Sequence, residues 1–400
     1  MASKAKAKAR ASVTNSERQA AACPQRWLLR YGLGLRSQDS TPALYIGSLV
    51  HSAIEALYKL PTTTVWSRMI VRKAIEQEHR RWLADRRESL GGFFDISGEE
   101  LRAADEQAAI ATRIAEAYIS EYRTQDWRVV KNEQAFDTSI AKQHRLTTGR
   151  MSVTLAGKVD RVIEHQGRTW IVETKTSAIP LDEWVERNRR GHQAITYAIA
   201  LREQGIEVDG VIFDLVNSKP AKRAEDLAVL KDGTRLAKPA GLPYTTASEF
   251  LRAVTMLGQT LDSVDWYDTT HSVLSMRDGS GFWFRREPLL FDRAEVQRTQ
   301  REIERSMLEI GKWRHLVEVT KRATATISET DAANGIEAML SIISREFPRQ
   351  PALCWQYNRL CSYASICSTQ AADDAARFVL SRSASGHDEL HPESDSALEL

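Results

Sequence analysis

Asp160, Glu173 and Lys175 are the residues whose types and spacing suggest shared chemistry. They lie in Leu155 to Thr176, LAGKVDRVIEHQGRTWIVETKT, where two apolar-rich runs flank the polar break His165-Gln166-Gly167-Arg168. Each run alternates with the two-residue period of a strand. If the break closes a symmetric hairpin, Asp160 falls opposite Glu173, and Lys175, two residues on, shares the face of Glu173. Carboxylates facing each other across a ladder at ~5 Å repel and weaken it unless a cation lies between them. An ammonium one step along would be well placed beside a metal-bound water or a phosphate. The same residues also suit an exposed hairpin carrying ordinary surface charges, so the rest of the chain must decide.

The surrounding pattern supplies elements that would position this stretch. Strands are expected at about 128–137, 146–163 and 169–176. A helix over Ile46 to Leu60 puts Gly47, His51 and Glu55 on one face, one turn apart, and Gly47 would admit a close neighbour. A basic amphipathic helix over 65–89 and a second over Gly98 to Tyr122, parted by Gly91-Gly92, read as a helical insertion (about 61–126) between His51 and the sheet. Trp184 to Gln204 reads as one helix carrying Gln193 and Tyr197 a turn apart. Val208 to Asn217 is a buried strand running into the basic loop Ser218 to Arg223. Residues 224–280 carry no decisive period; a strand at Gly281 to Leu290 and helices at 291–320 and 329–346 follow.

The ends differ from the body. Residues 1–12 read as a flexible basic arm, and a capping pattern at Thr14 to Glu17 starts the first helix. Residues 369–400 read as a disordered acidic tail. From Ala372 onward there are seven acids against two arginines; with an overall +2, residues 1–371 carry about +7, a balance that suits a polyanion partner. With 42% hydrophobic residues the chain can bury a sizeable core. No run of about 18 apolar residues occurs, and the start lacks an apolar signal segment, so a cytoplasmic protein with no membrane partner is expected.

Four cysteines are present: Cys23, then Cys354, Cys361 and Cys367 with six and five residues between them. Three clustered thiols and one distant thiol in an intracellular chain fit a four-thiolate metal or iron–sulfur site better than disulfides. The absence of Cys-x-x-Cys weakens zinc-ribbon and thioredoxin readings. Four unrelated buried cysteines are the alternative. A shared site would join the two ends of the fold, offsetting a loop-closure cost on the order of 5 kcal/mol.

Taken in order, Cys23-Pro24, Gly47 with His51, Asp160, Glu173-Thr174-Lys175, Gln193 with Tyr197, and Cys354/Cys361/Cys367 resemble the PD-(D/E)XK nuclease superfamily. Within it the chain is most similar to RecB-like exonucleases with an iron–sulfur staple: the AddB nuclease domain, CRISPR-associated RecB-like exonucleases and related phage proteins. The likeness spans about residues 14–368. Val159 stands where the family name has proline, and the six-residue gap after Cys354 resembles the phage branch.

The resemblance implies a restriction-endonuclease-like α/β (α+β) fold, with a mixed central sheet flanked by helices. It implies a metal-dependent DNA nuclease, most readily an exonuclease, acting in DNA recombination, repair or phage DNA processing. Asp160, Glu173, His51 and the carbonyl of Thr174 would hold Mg2+ or Mn2+, the imidazole suiting Mn2+ at least as well as Mg2+. Lys175 would orient or deprotonate the attacking water and stabilise developing charge. Gln193 and Tyr197 would position Lys175 or the DNA backbone. Cys23, Cys354, Cys361 and Cys367 would hold a [4Fe-4S] cluster, with structural zinc as the alternative. Glu55 and Glu133 are candidate auxiliary acids. Candidate phosphate contacts are Lys158, Arg161, Arg187, Arg189, Arg190, Lys219, Lys222 and Arg223, on single-stranded DNA or DNA ends. With no Walker loop in the chain, unwinding would fall to a helicase or recombinase partner. A structure-selective endonuclease using the same site and a non-catalytic DNA-binding accessory protein are the other readings.

Overall fold

A two-residue turn sets the register of the central hairpin of the sheet. The computed structural model describes residues 10–37, 42–61, 64–89, 96–122, 127–139, 144–146, 149–189, 191–324, 345–356, 359–367 and 378–380. The chain begins with β1 (Arg10–Val13), α1 (Asn15–Ala20), α2 (Pro24–Trp27) and β2 (Leu35–Ser37). Three long helices follow: α3 (Pro42–Tyr58), α4 (Arg68–Ser89) and α5 (Gly98–Glu121). Next come β3 (Arg128–Thr138), β4 (His144–Leu146), β5 (Gly149–His165) and β6 (Arg168–Ser177). The second half holds α6 (Leu181–Asn188), α7 (His192–Glu203), β7 (Gly210–Asn217), α8 (Ala247–Met256), α9 (Tyr267–Gly279), β8 (Phe284–Leu290) and α10 (Arg293–Thr324).

The sheet is mixed and centres on β5 and β6, with the order β1-β5-β6-β7-β8 and with β3 and β4 also paired to β5. β5 and β6 form the expected hairpin. Gln166 and Gly167 both take positive φ (51° and 74°), the conformation of the hairpin turn whose twist matches its strands. His165 therefore pairs with Arg168 and Arg161 with Val172, the register the alternation predicts. β6 and β7 run parallel, and β8 closes the edge antiparallel to β7.

Period-two alternation sends successive residues of β6 to opposite layers. Ile171 joins a core with Val159, Val162, Phe213, Leu215, the apolar faces of α7 and α10, and Trp27. Trp170 and Val172 join a second core with Ile212 and Val216 under α3, α4 and α5. The helices expected as an insertion are thus a full layer covering one face of the sheet. A third, smaller core (Phe250, Tyr267, Leu274) belongs to a lobe between β7 and β8, over the stretch whose sequence carried no decisive period.

Several expectations need correction. The single helix over Trp184 to Gln204 is broken: α6 ends at Asn188, and Gly191, extended at φ −68° and ψ 133°, starts α7. The basic arm is not free to its end, because Arg10–Val13 pairs in parallel with Ser152 to Leu155. Nor is the tail wholly unstructured, since Phe378–Leu380 pairs antiparallel with β2. The helix expected at 329–346 lies almost entirely outside the described residues. Among the described residues no helix is long and apolar enough to cross a membrane.

Candidate active site

The site forms where the central hairpin opens. The β5–β6 ladder stops at Arg161 and Val172, so Asp160 and Glu173 are neighbours without being a ladder pair. Instead the Asp160 carboxylate accepts the Thr174 N–H, Oδ2 to N 2.9 Å. The same edge of β5 pairs with β1 over Ser152 to Leu155, which leaves 156–160 as a gap between two partners. Asp160 sits at the mouth of that gap. Two carboxylates at this spacing repel, and the parting of the strands accommodates both.

Glu173 is 2% exposed. Its Oε1 accepts from Lys175 Nζ at 2.6 Å, while its Oε2 is buried with no hydrogen-bond partner. Burial pushes the Glu173 carboxyl up to about 7, the Asp160 charge adds to this, and Lys175 opposes it. Burial alone would lower Lys175, but the charges of Glu173 and Asp160 outweigh it and hold the ammonium protonated. His51 reaches the gap from α3, its Nδ1 3.8 Å from Asp160 Oδ2. Burial would lower the imidazole too, yet Asp160 and Glu133 together raise it. Two carboxylates meet a single ammonium, that of Lys175, and Glu173 Oε2 is left without a partner beside the imidazole. Asp160, Glu173 and His51 therefore fit a hard divalent cation.

Gly47 explains how α3 comes so close to the strand. A Cβ built there would meet Thr176 Oγ1 at 3.0 Å, so the helix backbone packs against β6 one turn before His51. On the far side of His51, Nε2 lies 3.7 Å from Glu133 Oε1. Glu133 takes a left-handed φ of 48° in the middle of β3, between the pairs Asn132–Arg161 and Gln134–Val159. Single carboxylate or imidazole atoms of His51, Glu55 and Glu133 lie within 4.8 Å of one another. Both auxiliary acids named from the sequence therefore flank the site.

Of the expected phosphate contacts on β5, one is already ion-paired and the other is buried. Lys158 is ion-paired with Glu133 Oε2. Arg161 is 2% exposed, donates to Thr174 Oγ1 and lies 4.0 Å over the Tyr58 ring. A guanidinium so enclosed does not meet a phosphate at the surface, and the expectation for Arg161 is corrected. It belongs to a buried network that the sequence reading missed. Asp214, fully buried, accepts from Tyr118 Oη at 2.5 Å and from Arg286 Nε at 3.4 Å, with Arg161 4.0 Å away. Arg286 lies over the rings of Tyr122 and Trp127 at 3.5 and 3.8 Å and donates to Tyr58 Oη at 3.0 Å. The available signal was one acid inside the apolar strand GVIFDLVN, which must find buried partners.

Gln193 and Tyr197 face each other on α7, Gln193 Nε2 donating to Tyr197 Oη at 2.8 Å, and Tyr197 packs edge-on against Phe136. Among the other basic candidates, Arg187 pairs with Glu183 and Arg189 approaches Glu287 at 4.0 Å. Arg190 lies outside the described residues. Lys219, Lys222 and Arg223 are exposed in the loop after β7, and among the described residues none of the three forms an ion pair. The loop leaves from the end of the sheet where Ser218 N–H bonds Ser177 O at 2.8 Å, two residues past Lys175. Its path is held at Lys222, whose N–H bonds Tyr244 O and whose carbonyl accepts from the Thr245 hydroxyl.

The four cysteines come together. Cys23, from the N-terminal segment, lines one pocket with Cys354, Cys361 and Cys367, and with Arg26 and Arg349. All four are free thiols, and the Cys361 N–H bonds the Cys354 carbonyl at 2.7 Å. Burial pushes the Cys367 thiol up; Arg349 draws it down, and the three other thiols raise it again. Four sulfur donors beside two guanidiniums fit a cationic metal centre whose thiolates leave net negative charge.

No curated protein matches the chain. The family model of the PD-(D/E)XK nuclease superfamily matches residues 10–368, nearly the whole of the two main cores, the hairpin and the cysteine pocket. The chain belongs to the PD-(D/E)XK nuclease superfamily.

Proposed function

We propose that the chain is a metal-dependent DNA nuclease of the RecB-like exonuclease branch, hydrolysing phosphodiester bonds from DNA ends. The observation that carries this reading is the buried, unpartnered Glu173 Oε2 next to Asp160 and Lys175, with His51 facing the same gap. Mg2+ or Mn2+ held by Asp160, Glu173, His51 and the Thr174 carbonyl would supply an activated water and neutralise charge on the phosphate.

The side chains around that position have separable tasks. Lys175, kept protonated by Glu173 and Asp160, donates to a phosphate oxygen and stabilises the charge that develops on it. Its proton is held too firmly in the metal-free chain for it to act there as a base. Gln193 and Tyr197, bonded to each other, orient the backbone that enters along α7. Lys219, Lys222 and Arg223, exposed at the carboxyl end of β7, meet the phosphates leaving the site, which makes binding salt-sensitive. The cysteine pocket holds a [4Fe-4S] cluster that ties the N-terminal segment to the C-terminal one.

End-labelled linear single- and double-stranded DNA and a circular single strand, each with Mg2+, Mn2+ or EDTA, test the reading. Progressive shortening of linear DNA with metal, no cutting in EDTA and intact circles are expected. Cut circles would make the enzyme an endonuclease, and inert linear DNA with either metal would overturn the proposal.

A further inference from the structure

Glu133 is held where an ordinary strand residue would not be. Its φ of 48° is rare for a residue with a Cβ, a conformation that costs on the order of 1–3 kcal/mol and persists where the surroundings impose it. The neighbouring pairs Asn132–Arg161 and Gln134–Val159 keep their register, so the twist is confined to the residue opposite Asp160. The carboxylate it turns inward lies between two partners: Oε1 faces His51 Nε2 at 3.7 Å, and Oε2 lies against the Lys158 ammonium. Meanwhile His51 Nδ1 faces Asp160 at 3.8 Å. The four groups form a row, Lys158, Glu133, His51 and Asp160, with one ring nitrogen turned to each acid.

We infer that Glu133 is a positioning residue for the metal-facing imidazole: by accepting the Nε2–H of His51 it fixes the tautomer whose bare Nδ1 points into the Asp160–Glu173 gap. A ligating histidine orders its ring by giving its other N–H to an acceptor, and loss of that acceptor commonly costs 10–100-fold in metal affinity. The 3.7 Å separation is longer than a hydrogen bond, which closes at ~2.9 Å with a small turn of either group. The pairing of Glu133 with Lys158, and of Glu55 with Lys59 at 2.5 Å, favours this role over a second cation at His51, Glu55 and Glu133. The two acids there are balanced by two ammoniums, whereas Asp160 and Glu173 have only the Lys175 ammonium between them.

The inference rests on the metal-binding part of the proposed function, and its test does not depend on cleavage. Glu133→Gly suits the left-handed backbone while deleting the carboxylate, and Glu133→Gln keeps an acceptor. Full-length wild type and both variants would be titrated with Mn2+ by calorimetry. The 15N shifts of the His51 ring would be recorded in metal-free protein on the high-pH plateau of its titration. One ion at the site in each protein, a 10–100-fold weaker Kd for E133G and a smaller loss for E133Q are expected. Wild type should show a single Nε2–H tautomer and E133G a mixture. An unchanged Kd and tautomer in E133G would overturn the assignment, and so would a stoichiometry falling from two ions to one, which would make Glu133 a ligand itself. If E133G weakens Mn2+ as stated but wild type leaves DNA intact, the nuclease reading fails and the positioning role stands.

Discussion

At the scale of single residues, burial governs the electrostatics of the site. Glu173 keeps its proton up to about pH 7 in the folded, metal-free chain, but releases it in the ordinary carboxylate range once unfolded. The fold therefore binds that proton more tightly. Its contribution to stability is complete in acid and is lost as pH climbs from the ordinary range through 7. Glu173→Gln removes the titration. In EDTA the thermal stability of E173Q relative to wild type should grow between about pH 5 and pH 8, by at most about 3 kcal/mol. A constant difference across that range would contradict the upward push that burial gives the Glu173 carboxyl. Saturating Mn2+ should erase the difference by stabilising wild type.

Asp214 makes the complementary case. Two guanidiniums, Arg161 and Arg286, and the Tyr118 hydroxyl converge on one fully buried carboxylate behind Thr174. Asp214→Ala leaves buried cations without their counter-charge and should cost about 3–5 kcal/mol in urea unfolding. A loss under about 1 kcal/mol would mean water already screens the cluster.

At the scale of elements, legibility followed period and turn chemistry. The β5–β6 hairpin was readable because alternation is strict and the loop is two residues, Gln166-Gly167, so one register survives. Helix α3 was readable because Gly47, His51 and Glu55 repeat each turn. What the pattern could not show was departure from regularity. The left-handed twist at Glu133 and the parting of strands after Arg161 arise from repulsion and packing among distant segments. Arg161 was misread because an arginine in a strand looks solvated until Tyr58, Thr174 and Asp214 are brought around it. The break at Gly191 escaped notice because the apolar period resumes in phase on α7. The close approach of α3 to β6 is itself testable. Gly47→Val must displace Thr176 or the helix, with an expected cost of about 1–3 kcal/mol. A weaker Mn2+ affinity should accompany it as His51 moves. Unchanged stability and affinity would mean the helix approaches β6 less closely.

At the scale of the molecule, segments far apart in sequence converge on the same side. α10 buries Ile303, Met307, Ile310 and Val317 against the sheet core. Arg314 on that helix pairs with the fully buried Glu17 of α1 at 2.7 Å, and Trp27 Nε1 donates to the same acid at 2.9 Å. Cys23 follows immediately and meets the three C-terminal thiols. A cluster in that pocket would constrain the N-terminal segment that carries β1 into the sheet beside the gap. Protein purified without oxygen should be brown, with broad absorbance near ~400 nm, and Cys23→Ser or Cys361→Ser should remove the colour and lower Tm. Colourless protein carrying one zinc would replace the iron–sulfur assignment while keeping the staple.

The convergence of Asp160, Glu173 and Lys175 where the hairpin opens is tested most directly by one comparison. Wild type and Lys175→Ala would be assayed on end-labelled DNA with Mn2+, alongside their melting temperatures. Loss of cleavage by at least about 100-fold, with Tm within a few degrees of wild type, is expected. Cleavage by Lys175→Ala at the wild-type rate would contradict the assignment of this site.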